Sequence, residues 1–475
     1  MQKAPTSFLG HFFPIGVFLL LLVYGLFVHP VVIGGERLPV EVLVLIALCV
    51  NSFYLLYRGY AWSTIESSIT RKVGESIPVV MILLSVGVLI GSWIVSGTIP
   101  MLIYHGISLV SADWLYIFSF LICIIFSLLT GTSWGSAGTI GVVMIGIAQV
   151  YDANLAITAA AIVGGSFFGD KMSPLSDTTN VAALATDVSV YDHIRSMMYT
   201  TGPAAIIAGL AYIYLSPAIQ GGVEGAPQDL TTVQATLDDL KAIFNFNIVL
   251  LIPLAIVLWG SMTGKPIVLT LLGSAWCALI LALIFQNFTV SDVFQSFNKG
   301  FTVSMAGDIE TQSKVLNILN RGGLYNLIEG VVICLLIFAY IGTLEVIDAI
   351  KRSLSFVMQL LKKRWQTVTA ALTATLLTNI TASNQYATSF IIGTAFKEKF
   401  DDQGIDRKVL SRSIEDAGTM MENLFPWTPS GIFMFKALGV STLSYAPFQF
   451  LTLSNIIIAY LFAFTGVACF YKKKK

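Results

Sequence analysis

The chain is short of charge. Only 11% of its 475 residues are Asp, Glu, Lys or Arg, whereas 56% are hydrophobic; soluble domains carry about 25% charged residues. Lys plus Arg balance Asp plus Glu at 27 each, so no basic field exists to draw nucleic acid. Histidine is scarce, at four. The five cysteines (Cys49, Cys123, Cys277, Cys334, Cys469) stand singly in apolar stretches. That pattern excludes a C-x-x-C pair, a disulfide framework and a zinc site as readings. No cofactor is expected.

Long apolar runs are what the chain has in plenty. A helix crossing ~30 Å of hydrocarbon needs about 20 mainly apolar residues. Segments 11–32, 40–57, 77–96, 197–216, 245–261, 266–286, 325–344 and 446–470 meet that need. The first, from Phe12 to Val32, is longer than a signal-peptide core and lacks a small-residue cleavage site, so it reads as a permanent span. Two further spans, 153–187 and 409–440, carry charges and prolines at their middles and read as interrupted helices. Segments 112–150 and 365–396 are long enough to enter and return, with polar Gly/Ser/Thr/Asn centres, and read as re-entrant hairpins. The expected fold is an all-α polytopic membrane protein of about ten transmembrane spans plus two re-entrant hairpins. Its solvent partner is the lipid bilayer.

Lys and Arg mark the cytoplasmic side. Both ends of the second hairpin are basic: Lys351, Arg352, Lys362, Lys363 and Arg364 before it, Lys397, Lys399, Arg407, Lys408 and Arg412 after it. The first hairpin, bounded by Ser111–Trp114 and Tyr151–Asn154, has neither residue at its ends and should open outward. Arg58, Arg71 and Lys72 then fall inside, the acidic loop 221–240 outside, and the Lys472–Lys475 tail inside, which makes both termini cytoplasmic. Lys299, Lys314 and Arg321 in outer segment 288–324 depart from the rule, but a loop that long constrains orientation weakly.

An offset of 252 residues relates the two halves. Leu129–Gly135 falls on Thr381–Ala387, and Asp170–Ser176 falls on Glu422–Thr428. Pro174 meets Pro426, Gly141 meets Gly393, and with a one-residue slip Ile90-Gly-Ser92 meets Ile341-Gly-Thr343. Five spans on each side of the middle loop make the second copy inverted, as in secondary transporters. The expected division is scaffold spans at 1–76 and a first transport unit at 77–220. Loops and scaffold spans follow at 221–324, and a second transport unit with the final span at 325–475.

Backbone groups cannot stay unpaired in hydrocarbon, so broken helix belongs where it is buried in protein or lines a wet cavity. Pro174 breaks the helix of Gly164–Asn180, and Ser176 or Asp177 is placed to cap a new half-helix. Freed carbonyls with the oxygens of Asp170, Ser176 and Asp177 suit a hard cation such as Na⁺. Thr132 and Ser133 at one hairpin tip, and Asn384 and Gln385 at the other, add uncharged oxygens and amides, or simply pack. Glu422 and Thr428 occupy the matching places at the second break. Lys171 either balances Asp170 or anchors a substrate carboxylate, with Gln385 and Asn423 as further substrate-side candidates. Glu415 and Asp416 lie nearer the cytoplasmic end of their span, as a solvated vestibule face or a proton or ion relay. Trp134 and Tyr386, at equivalent positions, are packing plugs or substrate walls.

Thr130-Gly-Thr-Ser-Trp-Gly135 with Gly169–Asn180 closely resembles the NhaC family of bacterial Na⁺/H⁺ antiporters, which includes malate/lactate exchangers of the MleN type. Asn384-Gln-Tyr386, Glu415–Thr419 and Pro426-Trp427 are similar to the family's second-half motifs. The resemblance implies a Na⁺-coupled antiporter of the bacterial inner membrane, not an enzyme, with Asp170, Ser173, Ser176 and Asp177 in its site. It also implies a scaffold part, a moving part and homodimers in the wider superfamily. Exchange of Na⁺ for H⁺ alone, or coupled movement of a small organic acid or amino acid, both fit. A remote rival is an intramembrane serine protease, since Gly131–Gly135 reads G-x-S-x-G around Ser133. The second tip has Gln385 in the equivalent place, which disfavours it. A passive channel is disfavoured by the inverted, interrupted spans.

Overall fold

The computed structural model describes residues 8–216, 230–307, 311, 313–349, 352, 354, 358 and 361–471. Part of the acidic loop 221–240, Lys351 and the Lys472–Lys475 tail, all used above to set orientation, lie outside the described residues. The chain folds into helices throughout. The first half contains α1 (Phe8–Val23), which runs on as a π-helix to Ile33, α2 (Val40–Tyr57), α3 (Trp62–Glu75), α4 (Ile77–Val95) and α5 (Thr98–Leu109). It continues with α6 (Leu115–Thr130), α7 (Ser133–Val150), α8 (Leu155–Met172), α9 (Asp177–Ala185) and α10 (Val190–Tyr214). The middle holds α11 (Leu230–Ile243), α12 (Ile248–Met262), α13 (Ile267–Phe285), α14 (Val290–Asn298) and α15 (Ser313–Leu319). The second half holds α16 (Ile328–Glu345), α17 (Arg364–Ala382), α18 (Gln385–Asp402), α19 (Arg407–Ile414), α20 (Pro429–Leu438) and α21 (Phe450–Thr465). A π-turn, Glu415–Thr419, and Met420–Glu422 extend α19.

Among the described residues eight helices are long and apolar enough to cross a membrane, or ten if each of two bent pairs is one span. Both helices of the first hairpin, α6 and α7, pass that test. Helices α10, α17 and α18 are long enough but too polar to pass it. Two elements differ from expectation. The acidic loop ends in helix α11, which meets α12 at 99°; α3 is an amphipathic helix whose Ser68 hydroxyl donates to the Gly342 carbonyl of α16.

Burial separates periphery from centre. Only 22% of the Phe12–Ile33 window is buried and 28% of α2, but 83% of α7 and 78% of α8. Outward-facing Leu20, Leu210, Leu269 and Ile284 are exposed, as apolar side chains facing lipid should be. The centre is drawn tight by small residues. Gly165 and Gly169, one turn apart on α8, face the carbonyls of Phe120 and Ile124 on α6; a Cβ would come within 2.2 and 2.6 Å of them. This is the small-xxx-small approach by which membrane helices pack closely.

The repeat is visible in the caps. Asn154 caps α8 and Asp406 caps α19, Thr132 caps α7 and Asn384 caps α18, Ser176 caps α9 and Thr428 caps α20. Every pair is 252 residues apart. The recipient amides match too: Thr132 and Asn384 accept from Gly135 and Ala387 at 3.3 and 3.0 Å, and Ser176 and Thr428 from Thr179 and Gly431 at 3.3 and 3.2 Å. Both tips turn on a left-handed residue, Gly131 and Ser383.

Gly165→Val should cost about 1–3 kcal/mol through forced separation of α6 and α8. Thermal melting in detergent should show a lowered midpoint. Gly273→Val on α13, where a Cβ meets nothing within 4 Å, should leave the midpoint within a degree or so.

Candidate functional site

Each interrupted span opens where the prolines were expected to open it. Helix α8 ends at Met172 and α9 begins at Asp177; six residues separate the last helical residue before the second break, Glu422, from the start of α20 at Pro429. Of the two candidate caps in the first break, Ser176 takes the role. Asp177 is the first residue of α9, and its Oδ1 accepts from the N–H of Thr178 at 2.9 Å.

The breaks bring one ammonium and three carboxylates to the centre. Lys171 is fully buried, and Asp170, Glu415 and Glu422 are at most 5% exposed. Lys171 Nζ lies 2.9 Å from Glu415 Oε2 and 3.3 Å from Asp170 Oδ2, and it donates to Thr178 Oγ1. Thr178 Oγ1 is in turn 3.2 Å from Ser176 Oγ, which also bonds the Asp170 carboxylate. The ion pair therefore crosses from the first repeat to the second. Glu415 reaches it from the first residue of the π-turn, a helix irregularity common at functional sites. Both Glu415 and Asp416 are buried, so the vestibule-face reading falls.

Several acceptors here have no donor. Asp170 Oδ1, Glu415 Oε1, Asp416 Oδ2, Gln385 Oε1 and Asn423 Oδ1 are buried without a hydrogen-bond partner among the described residues. The Gln385 amide is steadied by Ser389 Oγ and the Ile414 carbonyl, both at 3.4 Å, and the Asn423 amide by the Met420 carbonyl at 2.7 Å. Ser173 is committed to structure: its hydroxyl donates to the Leu128 carbonyl at 3.1 Å and accepts from Leu175 N–H. Thr428 Oγ1 sits 2.6 Å from the Glu422 carbonyl oxygen. Ser133 is buried at the first tip, while Thr132 and Asn384 act as caps.

Two cross-repeat contacts frame this centre. Trp134 Nε1 on the first hairpin donates to Ser430 Oγ at 3.2 Å, and its ring stacks on Phe433 at 4.7 Å. Ser430 in turn bonds the Glu422 carboxylate. Tyr386, 252 residues on, donates its hydroxyl to Asp177 Oδ2. So each hairpin's aromatic grips the first turn of the other repeat's half-helix. Asp177 and Tyr386 are exposed, whereas Trp134 is half-buried. A cavity of about 230 Å³ is lined by Lys72, Glu75 and Glu345 and by Asn384 at the second tip.

A second polar node lies beside the first. Asp416 Oδ1 accepts from Asn455 Nδ2 at 2.9 Å and Thr200 Oγ1 at 3.0 Å, with Arg412 Nε 3.8 Å from Oδ2. His193 is buried there and bonds Ser411 Oγ at 2.9 Å rather than Ser133, so no nucleophile–base pair forms on Ser133 through it. Thr178, Ser430, Thr200, Asn455 and His193 were not expected from sequence. Only Arg412 had a signal, its four-residue spacing from Asp416.

The sequence model of the Na⁺/H⁺ antiporter family matches residues 165–467, a stretch that holds both breaks, the second hairpin and every charged residue of the centre. The chain belongs to that family. It is 38% identical, over 99% of its length and 98% of the relative's, to a Haemophilus influenzae protein called an uncharacterized Na⁺/H⁺ antiporter. It is 33% identical to the Na⁺/H⁺ antiporter NhaC of Bacillus subtilis, over 86% of this chain and 88% of that one. It is 31% identical to the malate-2H⁺/Na⁺-lactate antiporter of the same organism, over 92% and 91%. The resemblance drawn from Thr130–Gly135 and Gly169–Asn180 is thereby met, and this is a multi-pass membrane protein of a transporter family.

Removing one partner of a buried ion pair costs about 3–5 kcal/mol. Lys171→Met and Glu415→Gln should each lower stability on that scale, and the double variant should lose clearly less than the two combined. Melting of the four proteins in one detergent closes the cycle. Losses that add to within about 0.5 kcal/mol would show that the two side chains do not act as a unit.

Proposed function

We propose that the protein exchanges Na⁺ for H⁺ across the bacterial inner membrane by alternating access, with both termini cytoplasmic. One observation carries this reading. The buried ammonium is already held by one oxygen each of Glu415 and Asp170, while Asp170 Oδ1 and Glu415 Oε1 have no donor among the described residues. Acceptors in excess suit a small hard cation or a proton, and they disfavour an organic anion. A buried carboxylate cannot stand bare, so it takes a proton or a cation in turn. That alternation is the exchange.

In this reading Asp170 and Ser176 hold Na⁺ with carbonyls freed at the break, and Ser173 positions the break against the first hairpin. Asp177 stands at the entrance. Thr132, Ser133, Asn384, Glu422 and Thr428 shape the two half-sites, and Glu415 and Asp416 relay the proton. Lys171 balances charge, with Gln385 and Asn423 beside it. The charged cavity reaching Asn384 is the cytoplasmic approach. No cofactor takes part, and the working form is a homodimer. A second reading, Na⁺- or H⁺-coupled movement of a small organic acid, draws on the malate/lactate relative and on Lys171, which would have to leave Glu415 to meet a carboxylate.

Proteoliposomes with a lumenal pH dye decide between them. Adding Na⁺, but not K⁺, should move protons with no organic solute present, and Asp170→Asn should abolish the signal while melting as a folded protein. Flux that waits for an organic acid or amino acid would overturn simple exchange. Undiminished flux in Asp170→Asn would overturn the site.

A further inference from the structure

A second cavity among the described residues differs in character from the ion centre. It measures about 420 Å³, lies between α1 and the first helix of the second hairpin, α17, and is almost wholly apolar. On α17 its wall is a single helical stripe recurring every three to four residues, from Trp365 through Thr369, Thr373 and Leu377 to Thr381. From Trp365 to Thr381 the helix rises about 24 Å, close to the depth of the hydrocarbon core. The facing wall on α1 is Phe12, Ile15, Gly16 and Leu19. Two hydroxyls on the stripe are engaged elsewhere, Thr373 with Tyr460 and Thr381 with the Leu377 carbonyl at 2.6 Å, while that of Thr369 has no partner among the described residues.

One end of this slot differs from the other. At the start of α17 stand Lys362, Lys363 and Arg364, followed by Trp365, which is 39% exposed. Arg364 is engaged with the Gln403 carbonyl and the Tyr471 ring. Lys362 and Lys363 are exposed. A tryptophan beside lysines at the end of an apolar stripe is the signature of the membrane–water interface. The slot thus has a long apolar floor and a cationic mouth.

We infer that this slot binds an anionic phospholipid, one acyl chain lying along α17 between it and α1 and the phosphate headgroup paired with Lys362 and Lys363. The charge at the mouth is complementary to such a headgroup, and the length and apolarity of the floor fit a chain. A second copy of the protein fits less well, because a narrow concave slot needs a flexible occupant. The site has a mechanical consequence. Helix α17 ends in the tip Ser383–Asn384 and its Ile380 carbonyl accepts from Trp427 Nε1 in the second break at 2.9 Å. A lipid in the slot therefore bears on the helix that leads into the second hairpin tip and touches the second break.

Gly16 offers a test, since it lines the slot and a Cβ added there meets nothing within 4 Å, so Gly16→Phe puts a ring into the slot from the α1 side. Native mass spectrometry of the full chain, with phosphatidylglycerol or phosphatidylcholine of equal chain length, reads occupancy. The wild type should hold one phosphatidylglycerol about thirtyfold more tightly than phosphatidylcholine, the effect of two lysines near an anionic headgroup. Gly16→Phe should lose both lipids, and Lys362→Gln/Lys363→Gln should lose only the preference. Melting of each variant checks that it is folded. Unchanged phosphatidylglycerol binding in a folded Gly16→Phe protein would overturn the site. So would a dimer that falls apart in Gly16→Phe with lipid binding intact, which would assign the slot to a second copy. Binding without headgroup preference in the wild type would overturn the role of the lysines.

Discussion

An ammonium with no exposure, deep in a membrane protein, is tolerated only when its charge is met on several sides, and Lys171 is met by Asp170, Glu415 and Thr178. Two of these partners come from its own broken span and one from the opposite repeat. That asymmetry matters. At the 252-residue offset the place of Lys171 is taken by Asn423, and that of Glu415 by Val163. The two halves share a backbone plan, but a single ion pair ties them at the centre, and it exists once. Any movement of one broken span past the other has to stretch, exchange or preserve this contact.

The caps explain how the backbone is satisfied around the polar centre. Each half-helix begins with a hydroxyl or amide side chain on its own N–H groups, so the breaks leave few stray donors. Among the described residues, those left unmatched include carboxylate oxygens and the amide carbonyls of Gln385 and Asn423, with Asn379 Nδ2, Ser383 Oγ and Thr419 Oγ1 as unmatched donors. Gly418 lets the Gln385 amide approach the π-turn, where a Cβ would sit 2.5 Å from its oxygen. The tight approach of α6 to α8 helps wall this group in with protein, and the windows of α7 and α8 are the most buried among the described spans.

Much of this was legible beforehand, for definite reasons. Hairpin tips and breaks follow from local chemistry, since Gly131, Pro174 and Pro426 constrain the backbone wherever they stand. The offset then carried the assignment from Thr132 to Asn384 and from Ser176 to Thr428, where identity alone is lost. The partners of Lys171 were harder to see. Glu415 lies 244 positions away in the chain and reaches Lys171 through a π-turn that no propensity announces. His193, Thr200 and Asn455 look like ordinary span residues until the fold sets them around Arg412 and Asp416. The polar helices α17 and α18 were legible from the length and polar centre of 365–396, and the basic segments on either side set their orientation.

The aromatic pair shows how a repeated plan can yield two different ends. Trp134 and Tyr386 occupy one position in the two copies, and each donates to the first turn of the opposite half-helix. Their surroundings are unequal. Trp134 is half-buried and stacked on Phe433, and its partner Ser430 leads on to Glu422. Tyr386 is 44% exposed and holds a carboxylate that is itself exposed. One contact is thus packed shut and the other borders solvent. Under the proposed alternating access, the converse arrangement would pack the tyrosine end and open the tryptophan end. The Lys171–Glu415 pair would then have to survive both arrangements or be re-formed in each.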